Sequence, residues 1–180
     1  MVNLGERSLL PSAPGLDEPV EMLEACHGRI EAQLRTLERL LPHLAENGAD
    51  VQSIQACRAV MRYFDIAGRF HHEDEEVNLF PLLMERRQDS ATLQLCSELE
   101  ADHARLNALW LALREQLDKI AGGGSAALDA DLVSRFSQGY REHIARENTE
   151  VLPLAQRLLT AADIKALSLA MSGRRGVVLP

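Results

Sequence analysis

Aromatic residues are scarce in this 180-residue chain, with four Phe, two Tyr and one Trp. β-Branched residues are also few, and no segment alternates apolar and polar residues between tight turns. Sheet-based folds are therefore excluded. No apolar run approaches the length of a bilayer span, and the N-terminus lacks a basic segment followed by an apolar core and a cleavage site. The expectation is a cytoplasmic protein with no membrane partner. Cysteine is limited to Cys26, Cys57 and Cys96, with neither CxxC spacing nor an even count. That pattern points to reduced thiols in a core rather than to a disulfide framework. The net charge is -8, and acids and bases are interleaved with no basic stripe. Nucleic acid is accordingly not expected as a partner.

What the chain does have is Leu, Ala, Glu and Arg in abundance, in a length suited to one domain with a sizeable core. Residues 1–16, with Pro11, Pro14 and Gly15, read as an irregular N-terminal arm. Asp17 can cap a first helix, with Pro19 in its first turn, running to about Glu46 before Asn47 and Gly48. A second helix should run from about Asp50 toward Arg87, broken or kinked near Pro81 because an interior proline lacks a donor. Asp89 or Ser90 can cap a third, to about Ile120, before the Gly122–Ser125 connection. The fourth should span about Leu128 to Leu159, carrying Pro153 late. Thr160 then opens a short fifth helix to about Met171. The expected fold is all-α, an up-down-up-down antiparallel four-helix bundle over residues 17–160, with a short C-terminal helix and tail over 161–180.

The first half of the chain echoes the second. EACHGRIEAQL (Glu24 to Leu34) aligns with EADHARLNALW (Glu100 to Trp110), and HHEDEEVNLFP (His71 to Pro81) aligns with HIARENTEVLP (His143 to Pro153). Phe64 likewise aligns with Phe136. Apolar steps of three and four place His27 and His103 on the buried faces of their helices. His71 and Glu75, like His143 and Glu147, lie four residues apart, one turn along one face. Neither His72 nor Glu76 is repeated in the second copy. Glu73, Asp74 and Glu76 are expected in water, and His72 is expected to face outward beside a ligand.

His27 precedes the first interhelical turn by about twenty residues and His71 follows it by as many, roughly 30 Å in each case. A similar count relates His103 and His143, so all four histidines can share one level of the bundle. A single histidine on an apolar face is ordinarily a hydrogen-bonded core residue. Four at one level, two with an acid one turn away, carry a desolvation cost that calls for a cation. The donor set exceeds a four-ligand zinc site and contains no thiolate. It suits a pair of first-row ions, iron first, with manganese or zinc as alternatives.

On the paired HxxxE(x5)P motifs, with one histidine on each remaining helix, the chain resembles the hemerythrin-like, or HHE cation-binding, family of non-haem di-iron four-helix bundles. The resemblance covers about Glu18 to Leu159. It implies that His27, His71, Glu75, His103, His143 and Glu147 hold two iron ions, bridged by the two carboxylates and by an oxo or hydroxo group. There is a departure: oxygen-carrying hemerythrins place another histidine where this chain has Asn107, and space their fourth-helix acid differently. Each iron would keep one open position unless His72, Asn107 or a tyrosine fills it. The expected function is therefore to bind or sense oxygen, nitric oxide or peroxide, or to handle iron. An enzyme reducing nitric oxide or peroxide, or an iron donor for iron-sulfur repair, is the alternative, and enzymatic activity is left open. A ferritin-like oxidase would need ExxH spacing, a phosphotransfer bundle would need one exposed histidine, and a purely structural bundle would leave the paired acids unexplained.

Around these six, Tyr140 and Tyr63 can donate hydrogen bonds to the site or enter an open position, or can be half-buried core residues. Glu24 and Glu100, each one turn before a histidine, can accept its second ring N–H or stay at the surface. Trp110 and Leu34 are placed to wall the site from water, and His43 is assigned to the surface. No protein partner is identifiable.

Overall fold

Three-and-four spacing of apolar residues, interrupted by cap residues and glycines, sets the helices of the computed structural model, which describes residues 14–124 and 127–177. Helix α1, Pro19–Asn47, buries Leu23, His27, Ile30, Leu34 and Leu37 on one face and stops at Gly48 with φ 66°. Its N-cap is Glu18, without a side-chain bond, rather than Asp17. Helix α2 spans 51–86 and is opened by a reciprocal cap between Asp50 and Ser53. Helix α3, Ser90–Ala121, is capped by Asp89 bonding the Thr92 N–H, and α4, spanning 130–158, by Asp129 bonding that of Leu132. Helix α5, Ala161–Arg174, begins with a reciprocal cap between Thr160 and Asp163. The N-terminal arm up to residue 13, Ser125 of the glycine connection and the tail from residue 178 lie outside the described residues.

Near Pro81 the α winding of α2 is interrupted, by a π turn. The helix passes through two π turns, Tyr63–Gly68 and Glu75–Leu79, before resuming as Phe80–Arg86. In the second π turn the Phe80 N–H reaches back to the Glu75 carbonyl, so Pro81 enters where the next α segment starts and its missing donor is not needed. Helix α4 repeats the device: the π turn Glu147–Val151 closes with the Leu152 N–H on the Glu147 carbonyl, just before Pro153. Each ligand-type glutamate thus begins a π turn, and each proline follows it.

α1 packs on α2 and α4, and α3 packs on the same two, giving the square of an antiparallel four-helix bundle. The core falls into two apolar clusters. One holds Ile30, Leu34, Phe64, Leu106, Trp110 and Phe136 among others. The other holds Leu23, Leu79, Phe80, Leu99, Leu154 and Met171, the last supplied by α5. Each buried Leu or Phe contributes about 1.5–3 kcal/mol, so both clusters are firm walls for whatever lies between them. Among the described residues no helix is long and apolar enough to cross a membrane.

Candidate metal centre

Between the two clusters the helices turn polar side chains inward at one level. α1 contributes His27, α2 His71 and Glu75, α3 His103, and α4 His143 and Glu147. None of the six is more than 4% exposed, so water cannot solvate them. The structure therefore brings together every residue of the expected set.

The two carboxylates stand between the imidazoles. Glu147 Oε2 is 3.1 Å from His27 Nε2, and Glu147 Oε1 is 3.1 Å from His143 Nε2. Glu75 Oε1 is 3.5 Å from His71 Nε2, and Glu75 Oε2 is 3.5 Å from His103 Nε2. His27, His71, Glu75 and Glu147 offer donor atoms all within 4.8 Å of one another, and so do Glu75, His103, His143 and Glu147. Donors around a first-row ion at about 2.1 Å stand roughly 3–4 Å apart, so each group has the dimensions of one coordination sphere. The two spheres share Glu75 and Glu147.

Apart from His103 Nε2 and His143 Nε2, 2.9 Å apart, these atoms are largely not satisfied by one another. His27 Nε2, both ring nitrogens of His71, Glu75 Oε2, His143 Nδ1 and both Glu147 oxygens are buried without a hydrogen-bond partner. Leaving such groups unpaired is costly, and a cation at their focus satisfies them. Their protonation reflects the same crowding. Burial, then the neighbouring Glu147 charge, drives the Glu75 carboxyl well above its usual range. Glu147, despite burial, is held low by the His143 and His27 rings that adjoin its two oxygens. Burial drives His71 well below the ordinary imidazole value and His103 down to about 3, so each ring is neutral and keeps one nitrogen bare. Neutral imidazoles and carboxylate oxygens are what a first-row metal takes.

His72 overturns the outward expectation. Its ring stacks on His103 with centroids 3.8 Å apart, and its Nε2 lies 3.3 Å from the Tyr140 hydroxyl. With His103 and His143 it forms a third group of donors within 4.8 Å. In an uninterrupted α-helix adjacent residues diverge by about 100°. Here His72, one residue on from His71 in the short α segment Arg69–Asp74 between two π turns, turns toward α3 and meets His103. Tyr140 is buried beside His72, whereas the Tyr63 hydroxyl lies 3.5 Å from the Cys26 carbonyl. Asn107 is exposed and lines the cavity that also reaches His72 and His103.

The outer supports are also not the expected ones. Glu24 and Glu100 are exposed. Instead Glu76 Oε1 takes the Nδ1–H of His103 at 2.7 Å, and Asn148 Oδ1 takes that of His27 at 2.7 Å. Each contact fixes the tautomer that leaves Nε2 as an inward lone pair. Asp102 stands 3.7 Å from His143 Nδ1. The sequence carried a signal for this pair: Glu76 and Asn148 occupy the same place in the two repeats, directly after the ligand-type glutamate, and both offer a side-chain oxygen. Asp74 is likewise not in water but fully buried.

A cavity of about 550 Å³ between α2 and α3 reaches the His72 and His103 rings, past Trp110 and Tyr140. Trp110 donates its Nε1–H to Asp65 and so is pinned as one wall. The three cysteines are free and buried, and burial pushes the thiols of Cys57 and Cys96 up to about 11. They stay protonated and apart from the donor set.

A bundle with two histidine-carboxylate groups sharing both acids defines a metal-binding four-helix protein. Residues 18–155 match the hemerythrin HHE cation binding domain, and the chain belongs to that family. A Haemophilus influenzae protein described as uncharacterized is 33% identical over 161 residues, which is 89% of this chain and 92% of that one.

Proposed function

We propose that this chain is a cytoplasmic non-haem di-iron protein that binds or senses a small ligand, oxygen, nitric oxide or peroxide, within the bundle of residues 17–160. The observation that carries the reading is the sharing of Glu75 and Glu147 by two groups of buried donors. One ion would be held by His27, His71 and the two carboxylates, and the other by His103, His143 and the same carboxylates. Two such ions supply redox chemistry and coordination positions for an exogenous ligand.

The residues around them do three things. Glu76 and Asn148 hold His103 and His27 in the ligating tautomer. The two apolar clusters exclude water above and below. His72, facing His103 and His143, would supply a fifth imidazole to the second ion. The enzyme alternative, reduction of nitric oxide or peroxide, draws on the cavity that ends at His72 and His103, since it gives a substrate a route to the rings.

Anaerobic reconstitution with ferrous iron, removal of excess and metal analysis test the assignment. Two irons per chain, with a visible spectrum that changes on adding oxygen or nitric oxide, are expected. A chain that retains no transition metal would sink the proposal. Repeated turnover of nitric oxide or peroxide by the reduced protein selects the enzyme, and a single stoichiometric adduct selects binding or sensing.

A further inference from the structure

Asp74, next to Glu75, is a carboxylate with no exposed surface. Two guanidiniums from the end of α5 reach it: Arg174 directly, and Arg175 Nη2 at 2.6 Å from Oδ2. Arg174 also donates from Nη2 to Asn78 Oδ1 at 2.8 Å, and Asn78 lies inside the π turn that Glu75 begins. Arg175 is itself held, donating to the Met171 carbonyl at 2.9 Å and lying over the Phe70 ring at 5.7 Å. The two arginines therefore grip α2 on either side of the ligand-type carboxylate.

The second repeat shows that a π turn does not require such a grip. The residue aligned with Asp74 is Arg146, which makes ordinary surface pairs with Glu98 and Glu150 around the matching π turn. A carboxylate removed from water needs its charge partners, so burying Asp74 ties the docking of α5 to the placement of its neighbour.

We propose that Asp74, Arg174 and Arg175 are positioning residues that set Glu75, and that through them docking of the C-terminal helix and metal loading strengthen each other. This rests on the metal-centre reading above. Because linkage is reciprocal, whatever fixes Glu75 must also fix the end of α5, and loosening α5 must weaken the hold on the ion.

The test compares the full chain with Asp74→Asn and with the double variant Arg174→Gln/Arg175→Gln, each apo and loaded anaerobically with ferrous iron. In the unaltered chain, loading should slow tryptic cleavage after Arg174 and Arg175. In Asp74→Asn that protection should disappear while helical circular dichroism is retained. Both variants should bind iron about tenfold more weakly in competition with a chelator, the scale of losing a support outside the ligands. A merely structural role would lower apo and loaded melting temperatures together and leave iron affinity unchanged, which would overturn the inference. If either variant does not fold, the other still reads affinity, and the protection assay on the unaltered chain still discriminates. Iron binding without any change in cleavage overturns the coupling alone; failure of the unaltered chain to bind iron overturns the metal reading and this inference with it.

Discussion

Glu147→Gln separates the protein's need for a metal from its need for a core. Glu147 has no exposed surface and belongs to both donor groups, yet Gln has nearly its volume. In the apo protein the exchange removes a buried charge, whose desolvation offsets much of what its imidazole contacts return, so apo stability should hold or rise slightly. In the loaded protein it would remove an acid from both proposed ions. Outer supports alone are worth 10–100-fold in affinity, so a shared ligand should cost at least about 100-fold. At free iron near 100 times the dissociation constant, the unaltered chain gains about 2.7 kcal/mol from one ion. For a chain of this size that raises the melting temperature by roughly 5–11 °C. The variant at the same iron concentration sits near its own dissociation constant and gains only about 0.4 kcal/mol, roughly 1–2 °C. Thermal melts with chelator or with ferrous iron under anaerobic conditions read the difference directly. Glu150→Gln, an exposed change in the same π turn, should keep the full iron-linked shift. An equal iron-linked shift in Glu147→Gln and the unaltered chain would refute the assignment of Glu147 to the ions.

Two further outcomes follow from the same geometry. Glu76→Ala and Asn148→Ala each free a histidine from its tautomer-fixing contact and should each weaken iron binding about 10–100-fold, measured by chelator competition; Glu100→Ala should not. Acid should also destabilise the apo protein before its surface carboxylates titrate. Burial lowers the folded-state values of His71, His72 and His103 below the unfolded value. Their stabilisation is thus present above the unfolded imidazole value, about pH 6.5, and is lost as pH falls from there toward their depressed folded values. Urea midpoints of the apo protein at pH 7, 6 and 5 should fall steadily, and a flat profile would contradict the buried neutral histidines.

Much of the helical frame could be read from the chain because its signals are local. Asp50, Asp89 and Thr160 lie where caps are needed, Gly48 where a left-handed residue ends α1, and the apolar steps run without conflict along each helix. At Pro81 the expected interruption takes the form of a π turn that ends just before the proline, a winding that leaves no separate mark in composition. The spacing of five residues between the glutamate and the proline, present in both repeats, is the trace that it does leave.

The sequence by itself singled out the six side chains and the level at which they meet, since an internal repeat, helical periodicity and antiparallel length together constrain where each histidine can lie. Only the tertiary structure decided the directions of the residues beside them. His72 packs against His103 and Tyr140 from neighbouring helices, Asp74 is buried because two arginines arrive from a helix 100 residues away in the chain, and Glu76 reaches His103 on a neighbouring helix. A side chain's face depends on local backbone winding and on what packs opposite it, and neither is encoded in the spacing of one helix alone.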